Sequence, residues 1–249
     1  MSDARFSNAI FQFARSGRLI PLLGVAVLVA ACAAPAPLPI PQNDPYEEAN
    51  RRSHGFNSAF DRSVIRPVAL AYAPVAKGPV GIGIQNFAGN LSMPSVVLNK
   101  LLQGKIEDAV HNTVRFGLNS TIGLAGLFDP ASAMGLPERD ADFGQTLHVW
   151  GAGEGAYVML PVIGPSTERD ALGVVVDAII DPMGQVLKPR YANAARLAKF
   201  GSKLGDRARF SDSVDSILYD SADSYAQLRL LYLQNRRFEL GQEATDEDA

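Results

Sequence analysis

Residues 94–118 read PSVVLNKLLQGKIEDAVHNTVRFGL. Pro94 suits a first helical turn, with Ser92 or Met93 as its cap, and Val97, Leu98, Leu101 and Leu102 then recur at helical spacing. Gly104 stops that helix, because glycine enters the left-handed conformation that ends helices without a Cβ penalty. From Lys105 to Leu118 a second pattern follows, with Ile106, Ala109, Val110, Val114 and Gly117 on one face. Two short amphipathic helices joined by one glycine make a helical hairpin. The rest of the chain is read against that unit.

Downstream, Thr121–Phe128 (TIGLAGLF) is apolar, glycine-rich and uncharged. It is too short to span a bilayer, and it reads either as a core segment or as a piece lying at a membrane interface. Residues 137–170 carry Gly144, Gly151, Gly153, Gly155 and Gly164 and read as loops with one short strand, 156–160. Residues 171–187 are apolar and broken at Pro182, and helices are expected over 191–204 and 213–237. Upstream, residues 73–91 hold four glycines and two prolines and read as turns or a broken helix. Asp44-Pro45-Tyr46-Glu47 reads as a helix start capped by Asp44, with the helix ending before Pro67. No repeat of fixed period occurs. About six helices against one or two strands make the class mainly α.

The first residues are an address. Arg5, Arg15 and Arg18 precede an apolar run, Leu19–Ala31, which is too short to span a bilayer and right for the hydrophobic part of a signal peptide. It closes on Val29-Ala30-Ala31-Cys32, small residues before the single cysteine of the chain, which is the pattern of a bacterial lipobox. The implied chemistry is a thioether from Cys32 to diacylglycerol, cleavage before it, and acylation of the new amine. Residues 1–31 are therefore read as a lipoprotein signal peptide, and 32–45 as lipidated Cys32 with a tether carrying five prolines. That tether would reach about 35–40 Å at roughly 3 Å per residue. Ala33 after the cysteine, in place of an aspartate, favours delivery to the outer membrane on its periplasmic side. Residues 46–237 form the helical body and 238–249 an acidic, disordered tail.

Composition narrows the function. The 249 residues carry Lys+Arg 23 against Asp+Glu 26, a balance that excludes a bulk basic nucleic-acid binder. One cysteine excludes a disulfide framework and a cysteine metal cluster. Gly151-Ala152-Gly153-Glu154-Gly155 lacks the Lys-Ser/Thr of a phosphate loop, and no Gly-x-Ser-x-Gly elbow or His-Glu-x-x-His pair occurs. His54, His111 and His148 are scattered and have no acid at ligand spacing. No catalytic residue, metal site or cofactor is expected.

DPYEEANRRSHGFNSAFDRSVIRPVALAY, residues 44–72, resembles the opening of the MlaA (VacJ) family of outer-membrane lipoproteins. The likeness continues through Asn86-Phe87-Ala88-Gly89-Asn90-Leu91, Arg115-Phe116 with Asn119-Ser120-Thr121, and Asp142-Phe143-Gly144-Gln145-Thr146-Leu147. It then runs through Trp150-Gly151-x-Gly153-x-Gly155-x-Tyr157, Gly164-Pro165-Ser166 and Arg169-Asp170, to Tyr225, Arg229, Tyr232 and Arg236. Ala156 departs from the proline that many members have there. The resemblance implies a ring-like bundle of short amphipathic helices lying in one membrane leaflet around a polar channel. Its implied work is to remove misplaced phospholipids from the outer leaflet and hand them to a soluble periplasmic MlaC-like carrier. The implied partners are phospholipids, the outer-membrane bilayer and a trimeric porin.

The residues assigned to a lipid path are Asn86, Phe87, Arg115, Gly151, Gly153, Gly155 and Arg169. The glycines would permit close backbone approach, and the arginines would meet phosphates. The same residues are also read as ordinary turns and structural ion pairs. A lipoprotein scaffold without a lipid path, and a lipid hydrolase, remain as alternative readings.

Overall fold

The computed structural model describes residues 44–242. The signal segment, Cys32 and the tether up to residue 43, and residues 243–249 of the expected tail 238–249, lie outside the described residues; Phe238 and Glu239 are helical, so the tail starts later than expected. The chain is mainly helical, as expected. α1 (Glu47–Phe60), a π-helical turn (Asp61–Ile65) and α2 (Arg66–Ala76) run on from one another. The expected stop before Pro67 is therefore wrong. The π turn widens the hydrogen-bond step just where Pro67 has no N–H to give, and the ring is accommodated. Nor does Asp44 cap α1: the N-cap is Tyr46, without a side-chain bond. Asp44 instead accepts from Asn50 Nδ2 (2.8 Å), Arg229 Nη1 (2.8 Å) and the Tyr225 hydroxyl, tying the entry of the described chain to its last helix.

α3 (Pro79–Leu102) is one helix through Gly81, Gly83, Gly89 and Pro94, where turns and a fresh start at Pro94 were expected. Packing against α4 (Ile106–Thr121) on one side and α9 (Pro189–Arg209) on another holds it despite its poor helix formers. Gly81 is needed at the α2–α3 corner, since a Cβ there would lie 2.4 Å from the Val75 carbonyl oxygen. The hairpin turn at Gly104 is as expected, with φ +72°.

Three short helices and a β-hairpin complete the middle of the chain: α5 (Pro130–Ala133), α6 (Phe143–Val149), β1 (Tyr157–Leu160), β2 (Gly164–Thr167) and α7 (Glu168–Ile180). The single expected strand has a partner, antiparallel with Tyr157 opposite Thr167 and Leu160 opposite Gly164. α8 (Pro182–Val186) follows the expected break at Pro182. The long helix expected over 213–237 is divided into α10 (Ser211–Asp215), a π turn (Ser216–Asp220) and α11 (Ser224–Glu239). Asp223 restarts the chain by accepting from Ala226 N, a cap that the apolar stripe had masked.

The apolar stripes face mostly outward. On α4, Ile106, Val110 and Val114 are exposed, Val110 by 57%, while Asn112, Arg115 and Asn119 are buried with Ala109. The segment 121–128 is not core either: Ile122, Leu124 and Phe128 are each more than half exposed. Buried apolar side chains among the described residues form four small clusters, around Leu204, Met93, Phe143 and Tyr157. No described helix is long and apolar enough to cross a membrane.

Candidate functional site

Because α4 turns its polar face inward, it holds the loop that follows it. Arg115 donates to Ser132 Oγ (2.8 Å) and the Leu136 carbonyl (2.6 Å), and pairs with Asp129 at 2.7 Å. Asn119 donates to Asp129 Oδ1 (2.9 Å) and accepts from Ala131 N (3.1 Å). Asn112 bridges both backbone groups of Arg139. Burial would raise the Asp129 carboxyl, but hydrogen bonds from Ser132, Asn119 and Arg115 outweigh it and hold the group at about 2.

That loop walls a polar cavity of about 410 Å³, whose lining includes Asn86, Asn90, Arg115, Asn119, Asp129, Glu138 and Ser202. A second cavity, of about 680 Å³, is lined by Ser92, Ser95 and Asn99 of α3, Glu138 and Asp140, Asp177 and Asp181, and Arg196 and Lys199 of α9, together with apolar residues such as Leu91, Val96, Ile179 and Leu187. Glu138 belongs to both, and α3 and α9 wall both. The two lie in succession along α3 from Gln85 to Asn99, a lane of two cavities about 21 Å long at 1.5 Å per residue. A third cavity, of about 620 Å³ near Phe60, Met159 and Phe200, shares no lining residue with the lane.

Half of the charges of the lane are in ion pairs. Besides Arg115 with Asp129, Lys199 meets Asp181 at 3.6 Å. Asp177 accepts from Asn99 Nδ2 (2.8 Å) and Phe143 N (2.9 Å), and burial, against those bonds, raises its carboxyl above the ordinary value. Glu138 is open to the lane. Desolvation by the surrounding wall, followed by the charge of Asp140, pushes its carboxyl up.

The residues assigned to a lipid path from sequence are only partly brought together. Asn86 and Arg115 line the lane, Arg115 with most of its donors already engaged in the wall. Phe87 is partly buried and is not among the lining residues. Arg169 is buried against Asp170 at 3.1 Å, in a network where Asp170 also receives Arg236 (3.0 Å) and Tyr232 (2.8 Å). Burial would raise Asp170, but bonds from Arg236 and Arg169 hold it at about 2. Gly151 and Gly155 have φ of +89° and +74°, and a Cβ on Gly155 would lie 2.7 Å from Glu168 Oε2. Gly153 sits between them, exposed. Ala156, where proline was the commoner residue, uses its N–H on Glu168 Oε2 at 3.1 Å. The glycine run thus shapes the entry to the β-hairpin and does not line the lane.

The sequence reading missed Glu138, Asn90, Asn99 and Asp177. The available signal was Asn112, Arg115 and Asn119 at helical spacing opposite the apolar stripe, since asparagine is a poor helix former and gains from a buried partner. Among the described residues the histidines have no carboxylate partner in hydrogen-bond range: His54 meets Ser224 Oγ (2.8 Å) and His111 meets the Pro137 carbonyl (2.8 Å).

Comparison with known proteins gives the family. A family model described as MlaA lipoprotein matches residues 42–239. A Shigella flexneri protein named intermembrane phospholipid transport system lipoprotein MlaA is 34% identical over 221 residues, covering 87% of this chain and 85% of that one. An uncharacterized protein of Rickettsia bellii (strain RML369-C) is 31% identical over 194 residues, 78% of this chain and 75% of its own. A solved structure, from work on the structural basis for maintenance of bacterial outer membrane lipid asymmetry, superposes with a TM-score of 0.68. It is 34% identical and covers 80% of this chain and 100% of that one. The chain belongs to the MlaA lipoprotein family.

Proposed function

We propose that the protein is a lipid-anchored passage for phospholipids, held in the periplasmic leaflet of the outer membrane through Cys32. In this reading it takes misplaced phospholipids out of the outer leaflet and passes them to a soluble periplasmic carrier of the MlaC kind, with a trimeric porin holding it in place. The helices form a ring in one leaflet around the lane.

One observation carries this reading: charged and amide side chains gather in two cavities along α3, among apolar ones in the larger, while exposed apolar side chains cover much of the outside. In water that arrangement wastes the hydrophobic effect, and in lipid it is the favourable one. A headgroup crosses hydrocarbon only at a large cost unless polar partners line its way. The lane is about 21 Å long, close to one leaflet with its headgroups, roughly 20–22 Å. The names borne by the Shigella flexneri relative and the solved structure support the same role. Such a passage is passive and needs no catalytic residue; direction comes from what removes the lipid on the periplasmic side.

The test is deletion of the gene in its host, with outer-leaflet phospholipid measured by surface labelling. Accumulation that the wild-type gene reverses and Cys32→Ala does not is the expected result. Unchanged outer-leaflet phospholipid, in a host without a second copy, would leave the protein as a scaffold.

A further inference from the structure

We propose that the lane selects phospholipids whose headgroup carries an ammonium, with Glu138 receiving that ammonium where the two cavities meet and Asn90 offering a second acceptor in the lining of the smaller one. This rests on the lane being the lipid path.

The lining holds three basic side chains against five acidic ones. Two of the basic groups are held by acids of the lane: Arg115 by Asp129 at 2.7 Å and Lys199 by Asp181 at 3.6 Å. Glu138 has no hydrogen bond or ion pair among the described residues, and it is the one charged side chain that borders both cavities. A headgroup moving from one cavity to the other therefore passes it.

Asn90 points to the same chemistry independently. Its side chain is 6% exposed and belongs to the lining of the 410 Å³ cavity. Its Nδ2 donates to Ser120 Oγ (3.0 Å) and the Ala125 carbonyl (3.4 Å), which fixes the orientation of the amide. Its Oδ1 is left without a partner. A buried orphan acceptor calls for a donor, and an ammonium carries three. Arg196, whose guanidinium donates to Asn193 Oδ1 (3.1 Å), borders the larger cavity with Glu138 and can meet the phosphate of the same zwitterion. An anionic headgroup without an amine could meet Arg196 in the same way, but it would leave Glu138 unpaired and face the acidic excess.

The test uses the full-length lipidated protein in detergent, offered equal amounts of dioleoyl phosphatidylethanolamine and dioleoyl phosphatidylglycerol, with retained lipid measured by extraction and mass spectrometry. The wild type should retain the ethanolamine lipid in about tenfold excess, as one ion pair in a partly hydrated cavity supplies. Glu138→Gln should bring the ratio close to one with total lipid unchanged, and Asp140→Asn, which removes the neighbouring charge, should lower it part of the way. Equal retention by the wild type, or a ratio that Glu138→Gln does not move, overturns the proposal and leaves the lipid path standing. Retention of neither lipid overturns both. Displacement of the lipid by soluble phosphoethanolamine at equal concentration would assign the site to a free amine and overturn the proposal as well.

Discussion

Asn112 holds the Arg139 backbone at two points: its Nδ2 donates to the Arg139 carbonyl at 2.8 Å and its Oδ1 accepts from the Arg139 N–H at 3.2 Å. Asn112 is 0% exposed. The clamp fixes the strand of chain that carries Glu138 and Asp140 into the lane. Asn112→Ala removes both bonds and leaves a part-buried N–H and carbonyl without this partner, at a cost of about 1–3 kcal/mol. Thermal unfolding in detergent should show a Tm lower by several degrees. An unchanged Tm would mean that the wall at Arg139 is held by other contacts, such as the pair of Arg139 with Asp108 at 2.6 Å.

Acid should loosen the network around Asp170. Its folded value, about 2, lies below the ordinary 3.8, so the carboxylate is the form the fold prefers. The stabilisation is complete above about pH 4 and is lost as pH falls through 3.8 towards 2. Asp129 behaves in the same way and over the same range. About 2 kcal/mol from Asp170 is at stake. Asp170→Asn should flatten part of the fall in Tm between pH 4 and pH 2, besides lowering Tm at neutral pH where Arg236 and Arg169 lose their shared partner. An acid slope identical in the variant and the wild type would locate the acid sensitivity elsewhere.

Two glycines of the run 151–155 should differ under substitution. Gly151→Ala meets only a backbone penalty, since φ is +89° and nothing lies within 4 Å of the new methyl. That costs about 1 kcal/mol. Gly155→Ala adds a clash with Glu168 at 2.7 Å, the residue whose Oε2 accepts from Ala156 N. Its Tm should fall further than that of Gly151→Ala. Neither substitution should alter the lipid ratio, because neither residue lines the lane. Equal thermal shifts would show that Glu168 moves aside freely.

How much of this was legible in the residues depended on which side of each helix was asked about. Periodicity placed the α3–α4 hairpin and its glycine turn, because spacing and left-handed φ at Gly104 are local matters. It gave no sign of inward or outward, and the usual assumption would have buried Val110 and Val114. Proline rules failed at Pro67 and Pro94, where a π turn and packing on two sides outweigh a missing N–H. Arg115 was chosen as a basic residue able to meet a phosphate, within a motif that resembles the family's. Glu138 carries no signal in the sequence: its place comes from α3, α4 and α9 lying beside it along the two cavities, and no local pattern encodes that.

The outward stripe on α4 makes the most direct claim about surroundings, and it can be read without any lipid transport. Val110 stands 57% exposed between Ile106 and Val114, which are also exposed, so three β-branched side chains one turn apart face whatever solvates the protein. If that solvent is acyl chain, a tryptophan at 110 lies within quenching distance of brominated lipid tails. The natural Trp150 is the single tryptophan and is removed first as Trp150→Phe. In vesicles of dibrominated phosphatidylcholine, Val110→Trp should lose most of its fluorescence. Arg52→Trp, on α1 where the native side chain is 74% exposed and pairs with Glu48 at 3.0 Å, should keep nearly all of its own. The contrast follows from the contact range of bromine quenching and from the cost of burying the charged end of α1 in hydrocarbon. Quenching at 52 but not at 110 would turn the protein over, placing the α4 stripe against water or a protein partner, and the leaflet placement would then have to be given up.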